Sequence, residues 1–134
     1  MTKRKKWRAC QLKYYIYKYV RVKECIYSLK VASGMAELHR LGVVHRDLAA
    51  RNIMLDRWLQ AKVGDFGLAR EGNEYAVEPE NEDGTKKKLE LPWKWVAPEA
   101  ATHRRFNDKS DVWSFGITLW EIFTFSGMPY PSKC

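Results

Sequence analysis

His45-Arg46-Asp47-Leu48-Ala49-Ala50-Arg51-Asn52 is the stretch from which the rest of the chain can be read. It holds a carboxylate, a carboxamide, two guanidinium groups and an imidazole, with Val43-Val44 before it and Ile53-Met54-Leu55 after it. A polar octet between short apolar runs predicts strand, loop, strand: a rigid frame presenting a chemically loaded loop. A further short piece, Ala61-Lys62-Val63, leads into Asp65-Phe66-Gly67, which begins thirteen positions after Asn52. Ala97-Pro98-Glu99 follows later.

At 134 residues the chain is the size of one domain. With 46 % hydrophobic and 30 % charged residues it can bury a core, which argues against wholesale disorder. The net charge of +8 is localised, because residues 1–30 carry ten Lys or Arg against Glu24 alone and the remainder is close to neutral. Charge therefore gives little support to a nucleic-acid binder, and no specific nucleic acid is expected as a partner. Cys10, Cys25 and Cys134 are odd in number and widely spaced, and they form no ligand pattern with His39, His45 or His103. That usage fits a reduced, cytoplasmic setting. The longest apolar candidate, 112–125, is too short to span a bilayer and contains Glu121.

Around the octet the periodicities divide the chain. Leu12, Tyr14, Ile16, Val20 and Val22 alternate with Lys13, Tyr15, Tyr17, Tyr19, Arg21 and Lys23, which predicts a strand or extended segment inside a basic N-terminal piece, 1–23. Lys3-Arg4-Lys5-Lys6 suits a solvated end better than a nuclear-import or anionic-lipid patch. From Glu24 the pattern turns helical: Cys25, Leu29, Ala32 and Ala36 form a stripe that Val31, Met35 and Leu38 widen. Gly42 ends this helix, with His39 and Arg40 in its last turn. Residues 70–91 read as a long loop with six acids and no base over 71–83, then Lys86-Lys87-Lys88. Asn107 or Asp108 caps a central helix of about 108–125, apolar nearly all round and therefore expected to be buried.

His-Arg-Asp-Leu-x-x-x-Asn, Asp-Phe-Gly and Ala-Pro-Glu in this order resemble the signature set of protein kinases. The resemblance covers about Ile26 to Pro131 and is closer to tyrosine kinases. Ala49-Ala50-Arg51 follows the catalytic Asp without a Lys two residues on, and Pro92-Trp93-Lys94-Trp95 looks like the tyrosine-kinase substrate-docking segment. Ser110-Asp111-Val112-Trp113-Ser114-Phe115-Gly116 is similar to the family's central helix. Trp93 and Val96 depart from the usual smaller aliphatic residue and the usual Thr or Met. The implied fold is mainly α with short β-hairpins: a kinase-like C-terminal lobe over 24–134, with catalytic loop 45–52 and activation segment 65–99. The N-terminal lobe and the last helices are expected to be absent.

The resemblance also assigns roles. Asp47 would accept the substrate phenol's proton, Arg51 would steady Asp47 and the tyrosine, and Asn52 and Asp65 would hold Mg²⁺ on ATP. His45, Phe66 and Gly67 would be structural, Asp111 would clamp the loop backbone near His45 and Arg46, and Glu99 would lack its usual Arg partner. Tyr75 stands where the family carries a regulatory phosphotyrosine, with Arg46 and Arg70 to receive it. Pro92, Lys94 and Trp95 would dock protein tyrosine substrates. Nothing before His45 resembles the glycine-rich loop or the Val-Ala-x-Lys strand, so the isolated chain is expected to bind MgATP weakly and to be inactive. An exposed apolar patch is expected too, to be covered by the missing lobe or a kinase partner. The alternative is a non-catalytic docking or regulatory module. Location would be cytoplasmic, or the cytoplasmic side of the plasma membrane for a receptor.

Overall fold

A computed structural model describes residues 3–72, 75–76 and 92–131, giving the backbone alone for 3–17 and 75–76. The chain is mostly helical, with a few short antiparallel strands. It opens with helix α1, Lys3–Arg40. This replaces the strand expected over 12–23, and α1 runs unbroken across the expected boundary at residue 23. Leu12, Ile16 and Val20 are four apart, which suits one helix face as well as it suits alternation. No Gly or Pro precedes Gly34, so nothing in the sequence stops a helix nucleated downstream from extending backwards.

The inward face of α1 also differs from the expected stripe. Val31 and Met35 are buried and Leu38 partly so, whereas Cys25 and Ala36 are exposed and Leu29 is 70 % exposed. The choice is steric: Gly34 lies on the inward side, where an added Cβ would come 3.3 Å from Val63 Cγ2. Val31 and Met35 close over Leu48 and Ala61 in one of two small cores among the described residues, joined by Tyr27, Ile53 and Phe115. The helix ends as expected. Gly42 adopts φ +73°, and its N–H donates to His39 O at 2.9 Å.

Strand β1 (Val43–Val44) enters the polar octet, a 3₁₀ turn covers Ala50–Asn52, and β2 (Ile53–Leu55) leaves it. β3 (Ala61–Val63) pairs antiparallel with β2, Ile53 facing Val63. This is the one hairpin among the described strands. β4 (Arg70–Glu71) returns to β1, Val44 facing Arg70, and β5 (Tyr75–Ala76) pairs with β6 (Arg105–Phe106). Those two ladders join distant segments, so of the short β-hairpins expected the described strands form one. The remainder of the 70–91 loop, including most of the acidic cluster and Lys86–Lys88, lies outside the described residues.

Helix α2 (Pro98–His103) begins at Pro98, whose missing N–H costs nothing at that position. Val96, Ala97, Ala100, Val44 and Phe106 form the second core. Helix α3 (Asp108–Phe123) starts with a capping box: Asn107 Oδ1 accepts from Lys109 N and Ser110 N, and Ser110 Oγ accepts from Asn107 N. The all-round burial expected of it is not seen, and apolar residues on one side stay exposed, in line with the expected patch. The buried residues are Ser110, Asp111, Ser114, Thr118 and Glu121, while Val112, Trp113 and Trp120 face solvent. The polar stripe is turned inward because the backbone of the octet needs hydrogen-bond partners there.

Candidate active site

The octet is held in place by one carboxylate from α3. Asp111 Oδ2 accepts from His45 N at 2.7 Å and Oδ1 accepts from Arg46 N at 2.9 Å. His39 Nε2, from the last turn of α1, donates to Asp111 Oδ2 at 3.0 Å. Both consecutive N–H groups reach Asp111 because Arg46 takes the left-handed conformation, φ 70°, a costly choice for a residue with a Cβ. Three donors on two buried oxygens hold the turn in this form.

Asp47 is presented by that turn. Asn52 Nδ2 donates to Asp47 Oδ2 at 2.9 Å and to Asp47 O at 2.6 Å, and Arg51 pairs with Asp47 Oδ1. The carboxylate is therefore fixed from two sides but still accessible. The Arg51 guanidinium carbon also lies 4.9 Å from the Trp95 ring centroid, a cation–π distance. His45 Nδ1 accepts from Asp47 N at 3.3 Å and its Nε2 donates to Gly64 O at 3.0 Å, which defines the ring as the Nε2–H tautomer.

The register of the β2–β3 hairpin brings the second motif alongside. Gly64 N donates to Asn52 O at 2.9 Å, so Asp65 emerges next to Asn52. Asp65 is exposed, has φ 56° and accepts from Gly67 N through Oδ1 at 3.3 Å. A Cβ on Gly67 would come within 3.3 Å of that oxygen. Phe66 leans on His45 with ring centroids 5.3 Å apart. Asn52 spends its amide nitrogen on Asp47, which leaves Oδ1, and Asp65 retains Oδ2. Two hard oxygens fit Mg²⁺ whose other ligands come from phosphates and water. Among the described residues, no group of three or more His, Cys, Asp or Glu could hold a metal unaided.

The remaining expected residues fall into three groups. Pro92 O accepts from Trp95 N at 2.8 Å, Lys94 is exposed, and Trp95 is half-buried beside Arg51. Glu99 is exposed and makes no ion pair among the described residues. The backbone of Tyr75 pairs with Phe106, over whose ring the buried Arg46 guanidinium sits at 5.4 Å. Arg70 donates to Gly67 O and Ala69 O at 3.3 and 2.7 Å, and is exposed.

Sequence reasoning missed Glu121 and Ser114. Glu121 Oε2 accepts from Ala50 N at 2.9 Å and from Trp95 Nε1 at 2.8 Å, and Ser114 Oγ donates to Trp95 O at 2.7 Å. The signal was present: Asp111, Ser114, Thr118 and Glu121 recur at helical spacing in an otherwise apolar helix. Behind Ala50, between α1 and α3, lies a groove of about 340 Å³ lined by Tyr19, Glu24, Tyr27, Glu121 and Phe125 among others. No helix of the described residues is long and apolar enough to cross a membrane.

Comparison with known proteins follows the same residues. A family model described as protein tyrosine and serine/threonine kinase matches residues 13–133. The tyrosine-protein kinase csk-1 of Caenorhabditis elegans is 50 % identical over 106 residues, 79 % of this chain and 18 % of the relative. The megakaryocyte-associated tyrosine-protein kinase of Mus musculus is 50 % identical over 105 residues, 78 % of this chain and 19 % of the relative. Fibroblast growth factor receptor 1 of Dugesia japonica is 48 % identical over 106 residues, 79 % of this chain and 12 % of the relative. The chain thus spans less than a fifth of the length of each of these three.

Proposed function

Because this chain belongs to the protein tyrosine and serine/threonine kinase family, as a partial kinase domain, we propose that it is part of the C-terminal lobe of a protein tyrosine kinase. The reaction moves the γ-phosphoryl group of ATP to a tyrosine hydroxyl of a protein substrate. The observation that carries the reading is the Asp47 carboxylate, bound by Asn52 and Arg51 on a loop clamped by Asp111. Tyrosine is favoured over serine or threonine by Ala49-Ala50-Arg51 and by the Pro92–Trp95 segment beside it. The names of the tyrosine-kinase relatives point the same way.

In this mechanism Asp47 accepts a hydrogen bond from the phenol and takes its proton as the new O–P bond forms and ADP departs. Arg51 holds Asp47 in orientation through their ion pair. Asn52 and Asp65 would hold Mg²⁺ together with the nucleotide, and the ion would supply neutralisation of phosphate charge when bound. Pro92, Lys94 and Trp95 seat the peptide. Tyr75, once phosphorylated, would draw Arg46 and Arg70 toward added negative charge and order the segment around it. The setting is cytoplasmic, or the cytoplasmic face of the plasma membrane if the chain belongs to a receptor.

The test is a segment exchange. Residues 26–131 replace the matching segment of csk-1, and phosphate transfer from ATP to a tyrosine peptide is measured. The expected chimera is active, and its Asp47→Asn form loses about a thousandfold, within the range for general bases. A folded chimera whose turnover ignores Asp47→Asn would refute the assignment. A second reading, a non-catalytic docking module, draws on the exposed Lys94 and on the exposed Glu99, which makes no ion pair among the described residues. It predicts peptide binding by the 134-residue chain with no turnover in either context.

A further inference from the structure

We infer that Glu121 is a positioning residue that sets the docking segment against the catalytic loop; the inference rests on the kinase reading above. Glu121 is 9 % exposed, and a single oxygen, Oε2, receives both the Ala50 N–H at 2.9 Å and the Trp95 indole N–H at 2.8 Å. Those donors lie 71 and 26 residues away in the chain. Ala50 opens the 3₁₀ turn that carries Arg51 and Asn52. Trp95 belongs to the segment expected to seat the peptide.

The two donors are also joined on their far sides. The Arg51 guanidinium carbon lies 4.9 Å from the Trp95 ring centroid, and Arg51 pairs with Asp47. A closed circuit results: Glu121 to Ala50, Ala50 to Arg51 along the chain, Arg51 to Trp95, and Trp95 back to Glu121. Ser114, two turns before Glu121 on α3, fixes the Trp95 carbonyl at 2.7 Å. Trp95 is therefore held at its backbone, its ring face and its ring nitrogen, all relative to the residue that would accept the phenol proton. A carboxylate holds two N–H donors on one oxygen more strongly than a neutral acceptor does. A residue that merely satisfied the Ala50 N–H would have no reason to share its oxygen with the docking segment, since water can serve a single donor.

The experiment is a double-mutant cycle on the 134-residue chain with Glu121→Gln, Trp95→Phe and the pair. Binding of a tyrosine-containing peptide is read by fluorescence anisotropy, and the Ala50 amide and Trp95 indole signals by ¹⁵N–¹H NMR. Circular dichroism checks that each variant is folded. Each single change is expected to weaken peptide binding about tenfold, and the pair no more than the worse single, because both break one circuit. Trp95→Phe is expected to shift the Ala50 amide although the two residues are far apart in sequence. Losses that multiply to about a hundredfold, or an Ala50 signal unmoved by Trp95→Phe, would overturn the inference. Should the wild-type chain bind no tyrosine peptide while the Ala50 shift persists, the docking assignment fails and Glu121 is left as a residue of the fold alone.

Discussion

Asp111 answers for more of the site than any other side chain described. Its two oxygens take the backbone of His45 and Arg46 and the ring of His39, and it is 1 % exposed. Asn at this position would keep one acceptor and turn an NH₂ group toward a buried N–H. Asp111→Asn is therefore expected to lower stability by about 3 kcal/mol, as measured by urea unfolding. It should also broaden the His45 and Arg46 amide signals in NMR. Asp47 and Asp111 stand in stretches that match family motifs, and that is how the sequence singles them out, although the amides Asp111 holds are 66 and 65 residues away. Glu121 stands in no such stretch: its partners are 71 and 26 residues distant and its neighbours in sequence are Trp120 and Ile122.

Among the elements, the β2–β3 hairpin carries its own latch. Asp56 Oδ1 accepts from Gln60 N at 3.0 Å and Trp58 N at 2.9 Å, and Oδ2 pairs with Lys62 Nζ at 3.2 Å. The backbone bond from Gln60, followed by Lys62 and Trp58, holds its carboxyl below the ordinary value of 3.8. A folded value below the unfolded one means the stabilisation is full above about pH 4 and is lost as pH falls through the folded value. Thermal melts of the wild type between pH 6 and 2.5 should therefore fall more steeply than those of Asp56→Asn; parallel curves would refute the latch. The α3 cap was readable because capping chemistry is local, whereas short hairpins were expected only from the family resemblance. The extent and facing of α1 were not readable: Cys25 and Leu29 repeat at helical spacing just as Val31 and Met35 do. Contact with Gly34, Val63 and Leu48 decides between the faces, and only the folded chain supplies it.

At the scale of the whole molecule, α3 puts hydroxyls and acids inward and leaves Val112, Trp113 and Trp120 in water, the last 50 % exposed. Exposed aromatic residues along one helix face favour association. Sedimentation velocity is expected to show the 134-residue chain associating as its concentration rises, and Trp113→Ser with Trp120→Ser to return it toward monomer. A sharp melting transition, independent of concentration, in a verified monomer would refute this. The Asp111 clamp has a further consequence, for the order in which the chain assembles. Its carboxylate lies 66 and 65 residues from the amides it holds, so a long stretch must close before those bonds can form, whereas the β2–β3 hairpin closes locally. The clamp is thus a late event on the way to the native state. In stopped-flow experiments Asp111→Asn should quicken unfolding and leave the refolding rate nearly unchanged, so that the turn at His45 and Arg46 is the last part gained and the first released.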